Sequence, residues 1–264
     1  SYSVTGVQTC ALPIYEVFGG YNRFYDISYP FRARKLLHEM KKSLRHPSGL
    51  AQYFDHESRA VMATAFMTTN QANRLYADFK GNRAVDGRLS LYRTLSGSIF
   101  DRQVKYEMLS YLPDLLIRQD KMSMAHSIEN RVPFLDNEVV ENSFSIPEKV
   151  LLLRKSPEGY NTEKYLLKKM AAGTFGNDFA FRDKMGFGIP AREFFASKNL
   201  FEYLNEKVLP DVKGRGLFNH SLVSAWLSNI SKLKYYEVDT LWVVVSFEIW
   251  ASMYLNNNEH FFSV

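Results

Sequence analysis

The sequence predicts a mostly helical chain folded as a single domain, and three observations carry that reading. Apolar residues recur at the three- and four-residue spacing of one helix face in several stretches, while few segments alternate with the period of two that a half-buried strand requires. Proline, glycine and capping residues stand mostly at the ends of those stretches. The composition is 46% hydrophobic, 15% aromatic and 23% charged over 264 residues. A chain of that size and make-up can bury about 70% of its unfolded surface, which excludes a disordered tail or a disulfide scaffold.

Residues 1–15 differ from the rest of the chain. They hold the only cysteine, no charge and no clear period. Residues 4–14, Val-Thr-Gly-Val-Gln-Thr-Cys-Ala-Leu-Pro-Ile, match a common sequencing adapter translated in frame. We therefore expect residues 1–15 to be foreign to the fold and residues 16–264 to be part of a larger domain.

The elements follow in order. Phe31, Leu36, Leu37, Met40 and Leu44 mark a helix over 31–44 that stops near Pro47. Residues 58–68 and 71–79 are two further helices, and 81–87 reads as a polar connection. Val104, Met108, Leu109 and Leu112 mark a helix reaching Pro113. Asp136 is placed to cap a helix beginning at Asn137, with Glu138 in its acidic first turn. Asn161 or Thr162 caps a helix that carries Tyr165, Leu166, Leu167 and Met170 and ends at Gly173. Pro190 suits the first turn of a helix over 193–195. Asp239 is placed to cap a helix over 240–254, apolar nearly all round and therefore buried.

Several function classes are disfavoured at once. One cysteine makes no internal disulfide, so a reducing, cytoplasmic setting is expected. The net charge of +5 comes with no block of like charges, so no nucleic-acid partner is expected, while an anionic small substrate is compatible. No membrane partner is expected either: the most apolar stretch, 241–255, is too short and carries Glu248. The phosphate-binding and nucleophile motifs G-x-x-x-x-G-K-[ST], G-x-G-x-x-G and G-x-S-x-G are absent.

Three stretches hold candidate chemistry. Glu16 stands beside Gly19-Gly20, where glycine allows close backbone approach to a phosphate or metal; an ordinary turn with an exposed Glu is the alternative. Residues 112–136 set Asp120, Lys121, His126, Glu129, Arg131 and Asp136 among core-type neighbours. Lys121 and Arg131 there could converge on phosphates, or Arg131 could bond Glu129 or Asp136 in a structural ion-pair network. His126 reads as a satisfied core histidine, since no second His or Cys stands at metal spacing. Lys184, two residues before Gly186, can reach a phosphoryl group from a glycine turn, or be a plain surface lysine.

Together and in order, these stretches resemble the C-terminal part of the synthetase domain of glutamine-hydrolysing asparagine synthetases. That family reads S-G-[DE]-G-x-D-E-[LV]-F-G-G-Y, and residues 16–21 reproduce its second half. It reads L-P-D-x-L-x-R-x-D-x-M-S-M-A-H-S-x-E-x-R-V-P-F-L-D, which residues 112–136 follow throughout, and R-x-K-x-G-F-x-x-P, which is Arg182 to Pro190. The resemblance implies a mostly α fragment of an α/β ATP-pyrophosphatase, adenine-nucleotide-hydrolase-like domain. The strands of its parallel sheet lie mostly before residue 16.

The implied activity is ATP-dependent formation of asparagine. Aspartate is activated by ATP with Mg2+ as β-aspartyl-AMP, then attacked by ammonia from glutamine; a homodimer is compatible. By resemblance Lys184 is the catalytic lysine on the phosphates. Glu16, Gly19, Gly20, Lys121, Glu129, Arg131 and Gly186 fall on substrate or ATP positions, and no residue here is assigned to a metal. The family's metal-binding Asp falls on Tyr15. An Asp codon becomes a Tyr codon when its first base is T, and the adapter supplies that T. The chain is thus expected to be inactive alone. The alternatives are a sibling amidotransferase acting on another carboxylate, or a catalytically dead helical binding module.

Overall fold

The computed structural model describes residues 14–28, 55–65, 67–78, 83–153, 163–182 and 190–255. Among these residues the regular elements are helical, apart from one antiparallel bridge between Tyr76 and Phe218. The helix expected over 31–44 lies outside them, as do Asn161 and Thr162. In chain order the helices are α1 (Ile14–Val17), α2 (Asn22–Ser28), α3 (His56–Met62), α4 (Thr69–Leu75), α5 (Arg83–Thr94), α6 (Ile99–Ser110), α7 (Leu112–Met124) and α8 (Asn137–Phe144). They continue with α9 (Glu148–Leu151), α10 (Tyr165–Phe175), α11 (Asn177–Ala180), α12 (Ala191–Ala196), α13 (Lys198–Tyr203), α14 (Leu209–Arg215), α15 (His220–Leu227) and α16 (Tyr235–Tyr254).

The chain gathers into two compact units: Ser1–Thr64 with Arg83–Lys184, and Ala65–Asn82 with Met185–Val264. The cause is α4. Its end pairs with a distant segment, Asn219 donating to the Leu75 carbonyl at 2.6 Å and Ala77 to the Leu217 carbonyl at 2.9 Å. That pairing stops the helix at Leu75, short of the expected 79. No local pattern announces a partner so far along the chain.

In the first unit α6 is the hub. A capping box starts it, Asp101 N–H donating to Ser98 Oγ at 3.1 Å and Ser98 N–H to the Asp101 carboxylate at 2.9 Å. Phe100 and Val104 bury against Val17, Phe18, Phe24, Tyr25, Leu151 and Leu152. Tyr106 buries instead against Ala60, Val61 and Tyr92. Each such side chain, fully buried, contributes about 1.5–3 kcal/mol.

The second of these clusters explains a misread segment. The connection expected over 81–87 is, from Arg83 on, the first part of α5. Gly87 inside that helix costs about 1 kcal/mol, which the burial of Tyr92 and the packing of Val85 and Leu89 against Ala60, Val61 and Tyr106 offset.

Other boundaries shift for local reasons. Asp55 caps α3 by accepting from Ser58 N–H at 3.1 Å, and the helix ends at Met62 rather than 68. Pro113 opens α7 instead of closing α6, because its missing N–H would lack a partner in a first turn anyway. Asp136 caps α8 as expected, accepting from Glu138 N–H at 2.9 Å. Gly173 sits inside α10, which runs on to Gly176 at φ 80.

The core of the second unit gathers Leu75, Phe195, Leu204, Val208, Val212, Phe218, Val223, Leu227, Leu241 and Val244. Between α13 and α14 the chain makes one wider, π-helical turn, Leu204–Val208, which keeps Leu204, Val208 and Val212 all facing that core. α12 begins directly after Pro190, close to expectation. α16 begins before Asp239, because Glu237 accepts from the Lys234 N–H at 2.8 Å and caps it there. It is not buried all round: Trp242 and Trp250 are 40% and 47% exposed. Its Glu248 is wholly buried and takes a hydrogen bond from Arg215 Nε at 2.9 Å. No helix among the described residues is long and apolar enough to cross a membrane.

Candidate functional site

The first motif builds a buried polar site in the first unit. α1 ends at two glycines that are needed for different reasons. Gly19 sits at φ 66, where a Cβ is strained. A Cβ on Gly20 would lie 2.7 Å from Tyr15 Cδ1 and 2.9 Å from Lys164 Cγ. This tight turn sends the chain back through α2, so that the Tyr21 hydroxyl donates to Glu16 Oε1 at 3.0 Å.

Glu16 is therefore wholly buried, not the exposed acid of an ordinary turn. Among the described residues its second oxygen, Oε2, has no hydrogen-bond partner. Burial pushes the Glu16 carboxyl up to about 7, against the opposing pull of hydrogen bonds from backbone and Tyr21. The Glu107 charge raises it further and the Arg23 charge lowers it. Burial, and then the Glu16 charge, push the Tyr21 phenol above its ordinary range.

Three residues of this site carried no signal recognised in the sequence. Arg23 forks onto Glu107, Nε to Oε1 at 2.8 Å and Nη2 to Oε2 at 2.6 Å. Gln103 Nε2 donates to the same Glu107 Oε1 at 2.7 Å and to the Ala60 carbonyl at 3.2 Å. The Arg23 guanidinium also lies over the Tyr21 ring, 3.6 Å from its centroid, and 5.1 Å from that of Tyr111. A clue was present: Gln103 and Glu107, four apart, share α6 with Phe100 and Val104, so two polar side chains enter a buried helix.

The second motif is more open than its composition suggested. Lys121 is exposed in the last turn of α7. Arg131 bonds Glu129, at 3.2 and 3.1 Å, and not Asp136, which is occupied as a cap. Both partners are exposed, 81% and 68% at the side chain. His126 is exposed too, its Nδ1 3.1 Å from the Met122 carbonyl, which corrects the core reading. Ile117, Met122, Met124 and Ile128 also show more than half of their surface. Beside them a groove of about 430 Å³ is lined by Met108, Leu112, Leu116, Leu135 and Val140, with Glu141 among its walls. Lys184 and Gly186 lie outside the described residues.

The structure thus brings Glu16, Gly19 and Gly20 together with Tyr21, Arg23 and Glu107, and pairs Glu129 with Arg131 at the surface. Among the described residues the first motif does not fit a Mg2+ site. Among the described residues no three His, Cys, Asp or Glu gather. Position 15 carries a phenol ring, 4.9 Å from that of Tyr21, with the Lys164 ammonium 3.8 Å over its face. A hard dication there would meet a fixed cation and one free carboxylate oxygen.

Comparison with known proteins gives one family. The model of the asparagine synthase family matches residues 16–252. Asparagine synthetase (glutamine-hydrolyzing) 1 of Bacillus subtilis (strain 168) is 28% identical over 90% of this chain and 39% of that protein. Asparagine synthetase (glutamine-hydrolyzing) 3 of the same organism is 38% identical over 31% of the chain and 13% of that protein. The chain therefore spans well under half the length of these relatives. No solved structure matches the chain significantly.

Proposed function

The chain belongs to the asparagine synthase family, and on that premise we propose that it is the C-terminal part of the synthetase domain of an ATP-dependent, glutamine-hydrolysing asparagine synthase. The observation that carries the proposal is the family match over residues 16–252, which begins at the buried Glu16 of the site described above. The names of the relatives support the reaction class, a carbon–nitrogen ligation with glutamine as nitrogen source.

In this reading the whole protein works in the cytoplasm on an α/β ATP-pyrophosphatase fold. It joins ATP to aspartate as β-aspartyl-AMP, and ammonia from glutamine displaces AMP. Holding two anions together and stabilising charge at the α-phosphate is work for fixed cations and oriented dipoles. Lys184 is the proposed phosphate lysine. Glu16, Gly19, Gly20, Lys121, Glu129, Arg131 and Gly186 are proposed for the walls of the nucleotide and aspartate pocket. Mg2+ would be held with the phosphates by residues outside this chain.

We read residues 1–15 as foreign to the domain and the chain as inactive by itself. Tyr15 with the Lys164 ammonium on its ring, in the place of an acid, supports that reading. The test amplifies the source DNA without adapter ligation, expresses the recovered full-length protein, and assays pyrophosphate and amide product. Aspartate-dependent release of pyrophosphate with asparagine as product is expected. Release driven by another carboxylate would replace aspartate in the proposal. Release by the 264-residue chain itself would refute its inactivity.

A further inference from the structure

The first motif contains a chain of contacts longer than its own turn requires. It runs from the Ala60 carbonyl in the last turn of α3, through Gln103 and Glu107 on α6, to Arg23 in α2 and Tyr21 just before it, and ends on Glu16 of α1. We infer that Arg23, gripped by Glu107, is a positioning residue of this site: it fixes the Tyr21 ring so that the phenol occupies Oε1 of Glu16 and leaves Oε2 as the carboxyl oxygen without a partner among the described residues.

A phenol held only by its hydroxyl can pivot about that bond. Here the Arg23 guanidinium lies over the Tyr21 ring, 3.6 Å from its centroid, and restricts that pivot. The guanidinium can serve as a flat plate only because its fork is locked on Glu107, which is itself fully buried and shared with Gln103. A lysine would place a point charge there and could neither fork nor stack. A buried ion pair is often no better for stability than apolar packing, so stability alone does not account for its lying against Tyr21. The unpartnered Oε2 is left over by the arrangement, a buried carboxyl oxygen with no partner among the described residues.

The inference rests on the proposed function only in taking Glu16 as a residue of the ligand site, and its test needs no turnover. The full 264-residue chain is labelled with 13C at the tyrosine Cζ, a carbon sensitive to the phenol's hydrogen bond, and read by NMR at neutral pH. Loss of one resonance in Tyr21→Phe assigns Tyr21. Glu16→Leu gives the shift produced when the hydrogen-bond acceptor is removed. Arg23→Lys, which keeps the charge, is expected to reproduce at least half of that shift and to speed the flipping of the Tyr21 ring. Tyr92 and Tyr106, in the neighbouring cluster, should stay in place. Glu107→Asp keeps both charges but shortens the grip, and should move Tyr21 the same way. An unmoved Tyr21 in both variants overturns the inference, since the ring then holds itself. Equal shifts of all three tyrosines also overturn it, since they signal general loosening. A full-length protein that makes no asparagine would refute the proposed function and leave this coupling standing.

Discussion

Replacing Glu16 by glutamine should stabilise the first unit at alkaline pH and do little at acid pH. Burial pushes the Glu16 carboxyl up to about 7 from an ordinary 4.5. The folded state therefore keeps a proton that the unfolded state gives up between those values. Its contribution is fully favourable below about pH 4.5 and is lost as pH rises through about 7. The difference corresponds to about 3 kcal/mol, reached near pH 8. The glutamine side chain would stay neutral throughout and still accept from the Tyr21 hydroxyl, so the variant should escape that loss. Tryptophan fluorescence cannot see the effect, because Trp226, Trp242 and Trp250 all lie in the second unit. Hydrogen-exchange protection of the Phe18, Gly20 and α6 amides can, compared at about pH 4 and about pH 8. The expected gain at the higher pH is roughly a hundredfold in protection. Parallel pH profiles of the two proteins would refute the burial argument.

Other substitutions test other parts. Gly20→Ala should cost the first unit about 1–3 kcal/mol, read by the same exchange measurement, because its Cβ would lie 2.7 Å from Tyr15. Arg215→Met strands the buried Glu248, and tryptophan-detected unfolding of the second unit should lose about 3–5 kcal/mol at alkaline pH. That loss should shrink in acid, since burial raises the Glu248 carboxyl and protonation removes its charge. Ser98→Ala removes the α6 capping box and should cost about 1 kcal/mol of protection along α6. Removing the exposed Glu129–Arg131 pair with alanines should change stability by less than about 1 kcal/mol, so any loss of activity in the full-length protein would point to the substrate pocket.

What the sequence disclosed was mostly short-range. The Asp136 cap and the glycine turn after Glu16 depend on neighbours a few residues apart, and both were legible. The burial of Glu16 was not, because it depends on Tyr21 folding back within a frame set by Arg23 and Glu107, 84 residues apart. α5 was hidden by Gly87 and a polar start, and only its partners Ala60, Val61 and Tyr106 make it a helix. His126 was misplaced for the opposite reason: apolar neighbours suggested a core, yet Met122, Met124 and Ile128 are themselves exposed.

The wide turn at Leu204–Val208 makes part of the second unit sensitive to how tightly the chain is wound there. α-Helical side chains advance by about 100° per residue. Rewinding the same five residues as ordinary α-helix would restore a regular ladder, a change that looks harmless locally. It would also rotate α14 about its own axis, carrying Val212 off the core and swinging Arg215 away from Glu248. The turn acts as a phase adjuster, setting the angle at which one end of a rod is read by the other.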